Sequence, residues 1–229
     1  MKEKRVAWNL HIEATMDQFK STELSLGPWT SYSLQHDPKH MAFVLSRYKF
    51  VAKMLAGREN VLEVGCGDAF GAPIVAQEVK NLQCIDWEER NIIGNQRRLS
   101  HLTNVTFEVG DMSEIRLAGQ YDGIFNIDVI EHLEPEFERP FIENMLFSLN
   151  QYGVMIIGTP NEAASKYATF RSDHQHINLK TADSLKILMN RYFHNTFIFS
   201  MNDEVVHTGY YPMAHYLFAM GVGKKDLVP

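Results

Sequence analysis

Cysteine is scarce in this 229-residue chain: only Cys66 and Cys84 occur. A disulfide framework and a cysteine-rich zinc site are thereby excluded. Long apolar runs are missing too, and none approaches the roughly 18 residues that a membrane-spanning helix needs. The charged start, Met1-Lys2-Glu3-Lys4-Arg5, leads into no apolar stretch, so a secretory signal is not expected. Basic residues do not dominate: 22 Lys and Arg stand against 28 Asp and Glu, a formal net charge of −6. That balance lacks the basic stripe from which nucleic-acid binders draw most of their affinity. Internal repeats and low-complexity tracts are also wanting. A cytoplasmic chain with neither a membrane nor a nucleic-acid partner is the expectation.

What is present is ordinary globular composition, 45% hydrophobic and 22% charged, in a length that suits one domain over residues 1–229. Residues 1–36 are polar with scattered aromatics, ending in Trp29, Tyr32 and His36, and read as an irregular or partly helical arm. A helix follows, with Asp37 as N-cap, Pro38 in the first turn and Gly57 as terminator. Met41, Val44, Leu45, Tyr48, Val51, Ala52 and Leu55 form its apolar stripe. Arg47 interrupts a second stripe of Phe43, Phe50 and Met54. A helix apolar nearly all round is covered on both sides, so Arg47 needs a partner.

From residue 60 strands and helices alternate. Strands are expected at Val61–Val64, Leu82–Asp86, Val105–Val109, Gly123–Ile127, Gly153–Gly158, Asn195–Met201 and Tyr216–Val222. Helices fall near 70–80, 89–100, 139–150 and Thr181–Arg191. This order predicts an α/β fold with a mostly parallel, Rossmann-like sheet covered by helices on both faces. Residues 1–58 form an N-terminal helical cover, 59–229 the sheet and its loops, and 203–214 a long connection before the last strand.

The most informative stretch is Val61-Leu62-Glu63-Val64-Gly65-Cys66-Gly67-Asp68, a strand running into a glycine turn. Glycines there let the backbone turn tightly and approach a ligand closely. A dinucleotide fingerprint would want a small residue at position 70, where Phe70 stands. Glu63, two residues before Gly65, suits a ligand bearing an ammonium better than a pyrophosphate. Asp86 closes the next strand, where a carboxylate grips both hydroxyls of a ribose.

Glu63-Val64-Gly65-Cys66-Gly67, then Asp86, then Gly110-Asp111-Met112, then Phe125-Asn126-Ile127-Asp128-Val129-Ile130-Glu131-His132-Leu133 together resemble the class I S-adenosylmethionine-dependent methyltransferases. The likeness spans roughly residues 55–200 and is strongest to the branch of ubiquinone-biosynthesis O-methyltransferases and small-molecule or sugar methyltransferases. Ala69 departs from it, where many members carry a third glycine. The resemblance implies S-adenosyl-L-methionine as cofactor and a seven-stranded sheet whose last strand is antiparallel. It implies that Gly65, Cys66 and Gly67 cradle the methionine part, Cys66 through its backbone. Asp86 would then hold the ribose, Trp87 cover the adenine, and Asp111 and the Met112 backbone read the adenine edge. Asn126 would offer its carbonyl to the ammonium, and Arg47 is available either to the cofactor carboxylate or to a structural ion pair. Plainer roles exist for several of these: Asp111 as a helix N-cap, Trp87 as packing.

Methyl transfer to oxygen or nitrogen often needs a base beside the acceptor. His132, His174 and His176 fall at the carboxyl ends of strands, where ligands gather in such sheets. His176 and His174 are the first candidates for the base, with His132 and Asp128 behind them. The acceptor pocket is expected among the 160–180 loop, the 203–215 connection and the arm, with Tyr210, Tyr211 and His215 reaching in. Some related ubiquinone-pathway enzymes hold a divalent cation with a Glu-His pair. Glu131-His132 matches the letters, but no third ligand stands at a compelling spacing, and no metal is expected. The expected activity is methyl transfer to a hydroxyl or amine of a small polar metabolite, a sugar or sugar-linked compound being one candidate. The alternatives are a nucleotide-dependent oxidoreductase and a non-catalytic cofactor-binding protein of the same fold.

Overall fold

The computed structural model describes residues 2–20, 24–167 and 175–226. Three helices come first: α1 (Lys2–Lys20), α2 (Pro28–His36) and α3 (Pro38–Met54). The arm is thus more helical than its composition suggested. Pro38 opens α3 directly after Asp37, although the Asp37 side chain makes no capping bond. Gly57, with φ +77°, turns the chain toward the sheet, in the left-handed region that glycine enters freely.

The sheet is built from β1 (Asn60–Val64), β2 (Asn81–Asp86), β3 (Val105–Val109), β4 (Tyr121–Ile127), β5 (Leu149–Pro160), β6 (Phe193–Asn202), β7 (Val205–His207) and β8 (Tyr216–Lys224). Between them lie α4 (Ala72–Ala76), α5 (Glu89–Arg98), α6 (Pro135–Ser148) and α7 (Ala182–Tyr192). Strand order is β3-β2-β1-β4-β5-β8-β6-β7. β1 to β5 pair in parallel, whereas β8 runs antiparallel to both β5 and β6. This is the expected Rossmann-like layout with one addition. The three-residue β7 hydrogen-bonds antiparallel to β6, within the stretch read as connection. His207 fixes that hairpin: its ring nitrogens meet Asn202 Oδ1 at 3.0 Å and the Gly209 N–H at 2.9 Å.

Alternation along the strands divides the core in two. Val61, Leu82, Cys84, Phe125, Ile156 and Phe218 face α3, α4 and α5, packing with Tyr48, Val51, Leu55, Val75 and Ile92. Leu62, Ile85, Ile124, Met155, Ile157 and Leu217 face α6 and α7, packing with Ile142, Met145, Leu185 and Met189. Both faces of a parallel sheet are therefore covered. The strand order reverses between β1 and β4, which opens a crevice at their carboxyl ends.

Candidate active site

The turn after β1 occupies that crevice. Gly65 (φ +76°), Gly67 (φ +50°) and Ala69 (φ +52°) all adopt left-handed backbone. Ala69 thus holds a conformation that glycine enters more freely, at a cost of roughly 1–2 kcal/mol. A Cβ at Gly65 would collide with the Val129 side chain, so only glycine lets the turn settle on the corner after β4. At Gly67 a Cβ would meet nothing within 4 Å, so the outer side of the turn is open. Cys66 is buried beneath it, and Asn95 Nδ2 donates to the Gly67 carbonyl at 2.7 Å.

Asp86, at the end of β2, binds the same turn. Its Oδ2 accepts the Gly67 N–H at 2.7 Å, and Oδ1 accepts the Glu88 N–H at 2.9 Å. Asn91 Nδ2 also meets Oδ1 at 3.4 Å, so the acceptor position still open is on Oδ2. The neighbouring Trp87 is 71% exposed, an aromatic face not spent on the core. Asp111 closes its own turn, accepting from the Ser113 N–H (2.8 Å) and hydroxyl (2.7 Å) with one oxygen. Met112 is buried, and its carbonyl accepts from Asn144 Nδ2 at 2.9 Å. The Asn126 side chain points by alternation into the α6 face, where Nδ2 meets Met145 Sδ at 3.7 Å and Oδ1 is buried without a partner.

Glu63 is placed differently from its sequence reading. Alternation turns it to the α3 face, and parallel register sets it beside Cys84. The Tyr48 hydroxyl donates to Oε1 at 2.6 Å and the Cys84 thiol to Oε2 at 3.3 Å. The carboxyl lies buried under the turn rather than open to a ligand. Burial lifts its pKa to about 7, against the two hydrogen bonds and with Asp86 adding to the rise.

Arg47 finds its partner in Asp128. Nη1 donates to Asp128 Oδ2 at 2.6 Å, and the guanidinium lies 4.0 Å from the Tyr216 ring centroid. Of the two roles read for Arg47, the structure fills the ion pair, though with the corner after β4 rather than a neighbouring helix. Burial, the largest influence, opposes the Arg47 charge, but Asp128, Tyr216 and Glu131 together raise its pKa. Asp128 sits in left-handed backbone at φ +57°, a conformation that Asp tolerates and that marks functional corners. Its second oxygen and the Tyr216 hydroxyl are buried without partners. As a base Asp128 is handicapped, because its Oδ2 is already engaged by the Arg47 guanidinium. His40, two helical turns before Arg47 on the same face, has its pKa lowered by burial and by Arg47. Sequence reasoning read Tyr216 only as the start of the last strand and gave His40 no role.

Beyond Asp128 a second cluster forms. Glu131, His132 and His176 bring one donor atom each within 4.8 Å of one another, and the two imidazoles meet edge to face at 5.1 Å. The third donor that spacing could not supply is delivered by the loop after β5, where the Ile177 and Asn178 N–H groups bond the Glu131 carbonyl at 2.9 and 3.0 Å. His132 Nδ1 donates to the Gln175 carbonyl at 2.9 Å, which turns Nε2 to the cluster. Glu131 Oε2 accepts from Thr159 Oγ1 at 3.1 Å, while Oε1 is buried, accepts no hydrogen bond and lies 4.0 Å from His132 Nε2. Burial, then Asp128, pushes the Glu131 pKa well up. Burial, then His132, lowers that of His176, against a rise from Asp128, which favours the neutral imidazole. His174 lies outside the described residues. Among the acceptor-pocket candidates, the Tyr211 hydroxyl bonds the Ile198 carbonyl at 3.4 Å, while Tyr210 and His215 are exposed.

The geometry now has its counterpart among known proteins. Residues 35–192 match the model of the methyltransferase domain family. This chain belongs to that family. A protein of Mycolicibacterium smegmatis described as a probable S-adenosylmethionine-dependent methyltransferase is 30% identical over 115 residues, covering 50% of this chain and 42% of that protein. A ubiquinone biosynthesis O-methyltransferase of Rickettsia canadensis is 26% identical, covering 54% and 50%. The chain thus spans about half the length of these curated relatives. The solved small RNA methyltransferase HEN1 has the same fold, with a TM-score of 0.65 at 17% identity, over 80% of this chain and 25% of that one. Among the described residues no helix is long and apolar enough to cross a membrane.

Proposed function

We propose that this methyltransferase-family chain uses S-adenosyl-L-methionine to methylate a hydroxyl or amine of a small polar metabolite, a sugar being one candidate. The observation that carries this reading is the Gly65–Gly67 turn, left-handed at both glycines, open on its outer side and tied to Asp86. Such a cradle fits a methionine moiety, with the ribose beside the Asp86 carboxylate, whose Oδ2 keeps an acceptor position, and adenine between Trp87 and Asp111. When bound, the cofactor supplies a methyl group on a neutral leaving thioether. The protein has to align the acceptor in line with it, which can be worth roughly 7–11 kcal/mol in favourable cases. His176, whose burial favours the neutral imidazole, is the group best suited to take the acceptor proton. A net charge of −6 supports a small acceptor over a nucleic acid. The test is an acceptor screen including polyols, phenols, amines and short RNA, scored by release of S-adenosylhomocysteine.

A second reading of the same cluster is supported by Glu131 Oε1, which is buried and accepts no hydrogen bond. A carboxylate oxygen and two imidazole nitrogens suit a divalent cation. There it would supply Lewis-acid polarisation of an acceptor hydroxyl, with His176 as ligand rather than base. Neither a nicotinamide-dependent reaction nor a purely binding role has a comparable observation in its favour.

A further inference from the structure

The first helix, α1, is uncovered. Of its described side chains only Thr15 is even partly buried, and that hydroxyl is spent on the His11 carbonyl of the same helix. Trp8, Ile12 and Met16 follow at intervals of four along one face, while Val6 and Leu10 lie on the far side. All five are exposed, Ile12 least at 40% and Trp8 most at 64%. A helix of this length is marginal in water when isolated. Val6, Trp8, Ile12 and Thr15 make it a poor one, since β-branched and aromatic side chains lose freedom in a helix. Its stability has to come from a surface that covers it on two sides.

Charge and area together point to the occupant. Lys2–Lys20 holds four Lys and Arg against three Asp and Glu, a net +1 within a chain of −6, so the remainder carries −7. Three of the four cations, Lys2, Lys4 and Arg5, fall in the first turn, whereas Glu13 and Asp17 belong to the second half. A second α1 running antiparallel sets each basic turn beside the acidic half of the other. The acidic body of that second copy attracts an arm of opposite sign. The area is sufficient as well. At roughly 100 Å² apiece the five side chains offer about 500 Å² per copy, so a pair buries about 1,000 Å², the size at which an interface becomes specific. A membrane surface suits α1 less, because an interfacial helix keeps one face polar and this one is apolar on both sides.

We infer that α1 is an exchanged arm. Two copies of the chain associate about a two-fold axis, and each α1 packs between the α1 and the body of the other copy.

Sedimentation equilibrium of the wild type and of the double variant Trp8→Glu, Ile12→Glu, from about 1 to about 100 µM, tests this. Both positions are exposed, so the substitutions leave the sheet and its core intact. The wild type should reach twice the mass of one chain, and the double variant should stay at one chain throughout. A wild type that stays at one chain overturns the exchange, in favour of a membrane if phosphatidylserine vesicles then bind it. A double variant that still pairs also overturns it, because another surface then holds the copies together. Amide exchange of α1 in the wild type gives a reading that needs no variant. Protection should rise and fall with the two-chain fraction. Protection that persists in the single chain means that α1 packs on its own body, and absence of protection in the pair means that α1 is not the contact. Either result contradicts the inference.

Discussion

Arg47 and Asp128, 81 residues apart, form a 2.6 Å ion pair in which the arginine is nearly buried and lies against the Tyr216 ring. The pair ties the N-terminal cover to the corner after β4, between the cofactor turn and the histidine cluster. Removing one member of a buried pair strands the other without solvation. Arg47→Met is expected to destabilise the fold by about 3 kcal/mol, the low end for such changes because Asp128 keeps some contact with water. Urea denaturation checks this, and Arg47→Met in an Asp128→Asn background should cost less.

Glu63 sets a pH dependence whose sign follows from its raised pKa, about 7 against an ordinary 4.5. The folded state holds the proton more tightly than the unfolded chain. Its contribution to stability is therefore complete below about pH 4.5 and is lost as pH rises through about 7, amounting to about 3 kcal/mol. Glu63→Gln should abolish this part of the stability profile. Unfolding free energies measured from pH 4.5 to 8 on both proteins give the comparison, and parallel curves would contradict it.

Much of this arrangement could be read from the sequence, because local spacing encodes it. The glycine turn, the carboxylate closing β2 and the alternation of strands and helices are all short-range patterns. β7 was not legible, since Val205–His207 is too short and too polar in its surroundings to show a period. Partners joined across the fold were equally hidden. Arg47 visibly required a counter-charge, yet nothing local named Asp128. Glu63 pointed to a ligand by position, but strand register gave it to Tyr48 and Cys84. His176 reaches Glu131 only because the loop after β5 folds back onto the Glu131 carbonyl.

The histidine cluster separates base from metal ligand in one series. His176→Ala should lower turnover by roughly 10²–10⁴-fold, with affinity for S-adenosylhomocysteine unchanged. If His176 is a base, chelation of the wild type leaves activity intact. If it is a ligand, EDTA abolishes activity, Mn²⁺ or Zn²⁺ restores it, and Glu131→Gln weakens calorimetric binding of the ion tenfold or more.

Gly65→Ala tests the turn against its packing. An added methyl group meets both a left-handed φ of +76° and the Val129 side chain. Binding of S-adenosylhomocysteine should be lost and the melting temperature should fall. Gly65→Ala combined with Val129→Ala should recover part of the stability, because the clash is relieved while the strain persists.

Calorimetric titration of the wild-type protein and of Asp86→Ala with S-adenosylhomocysteine tests the central claim most directly. Wild type should bind one equivalent, and Asp86→Ala should bind tenfold or more weakly, as expected for losing hydrogen bonds to a charged acceptor, each worth about 1.5–3 kcal/mol. Binding of a nicotinamide dinucleotide in its place, or equal affinity in both proteins, would contradict the account.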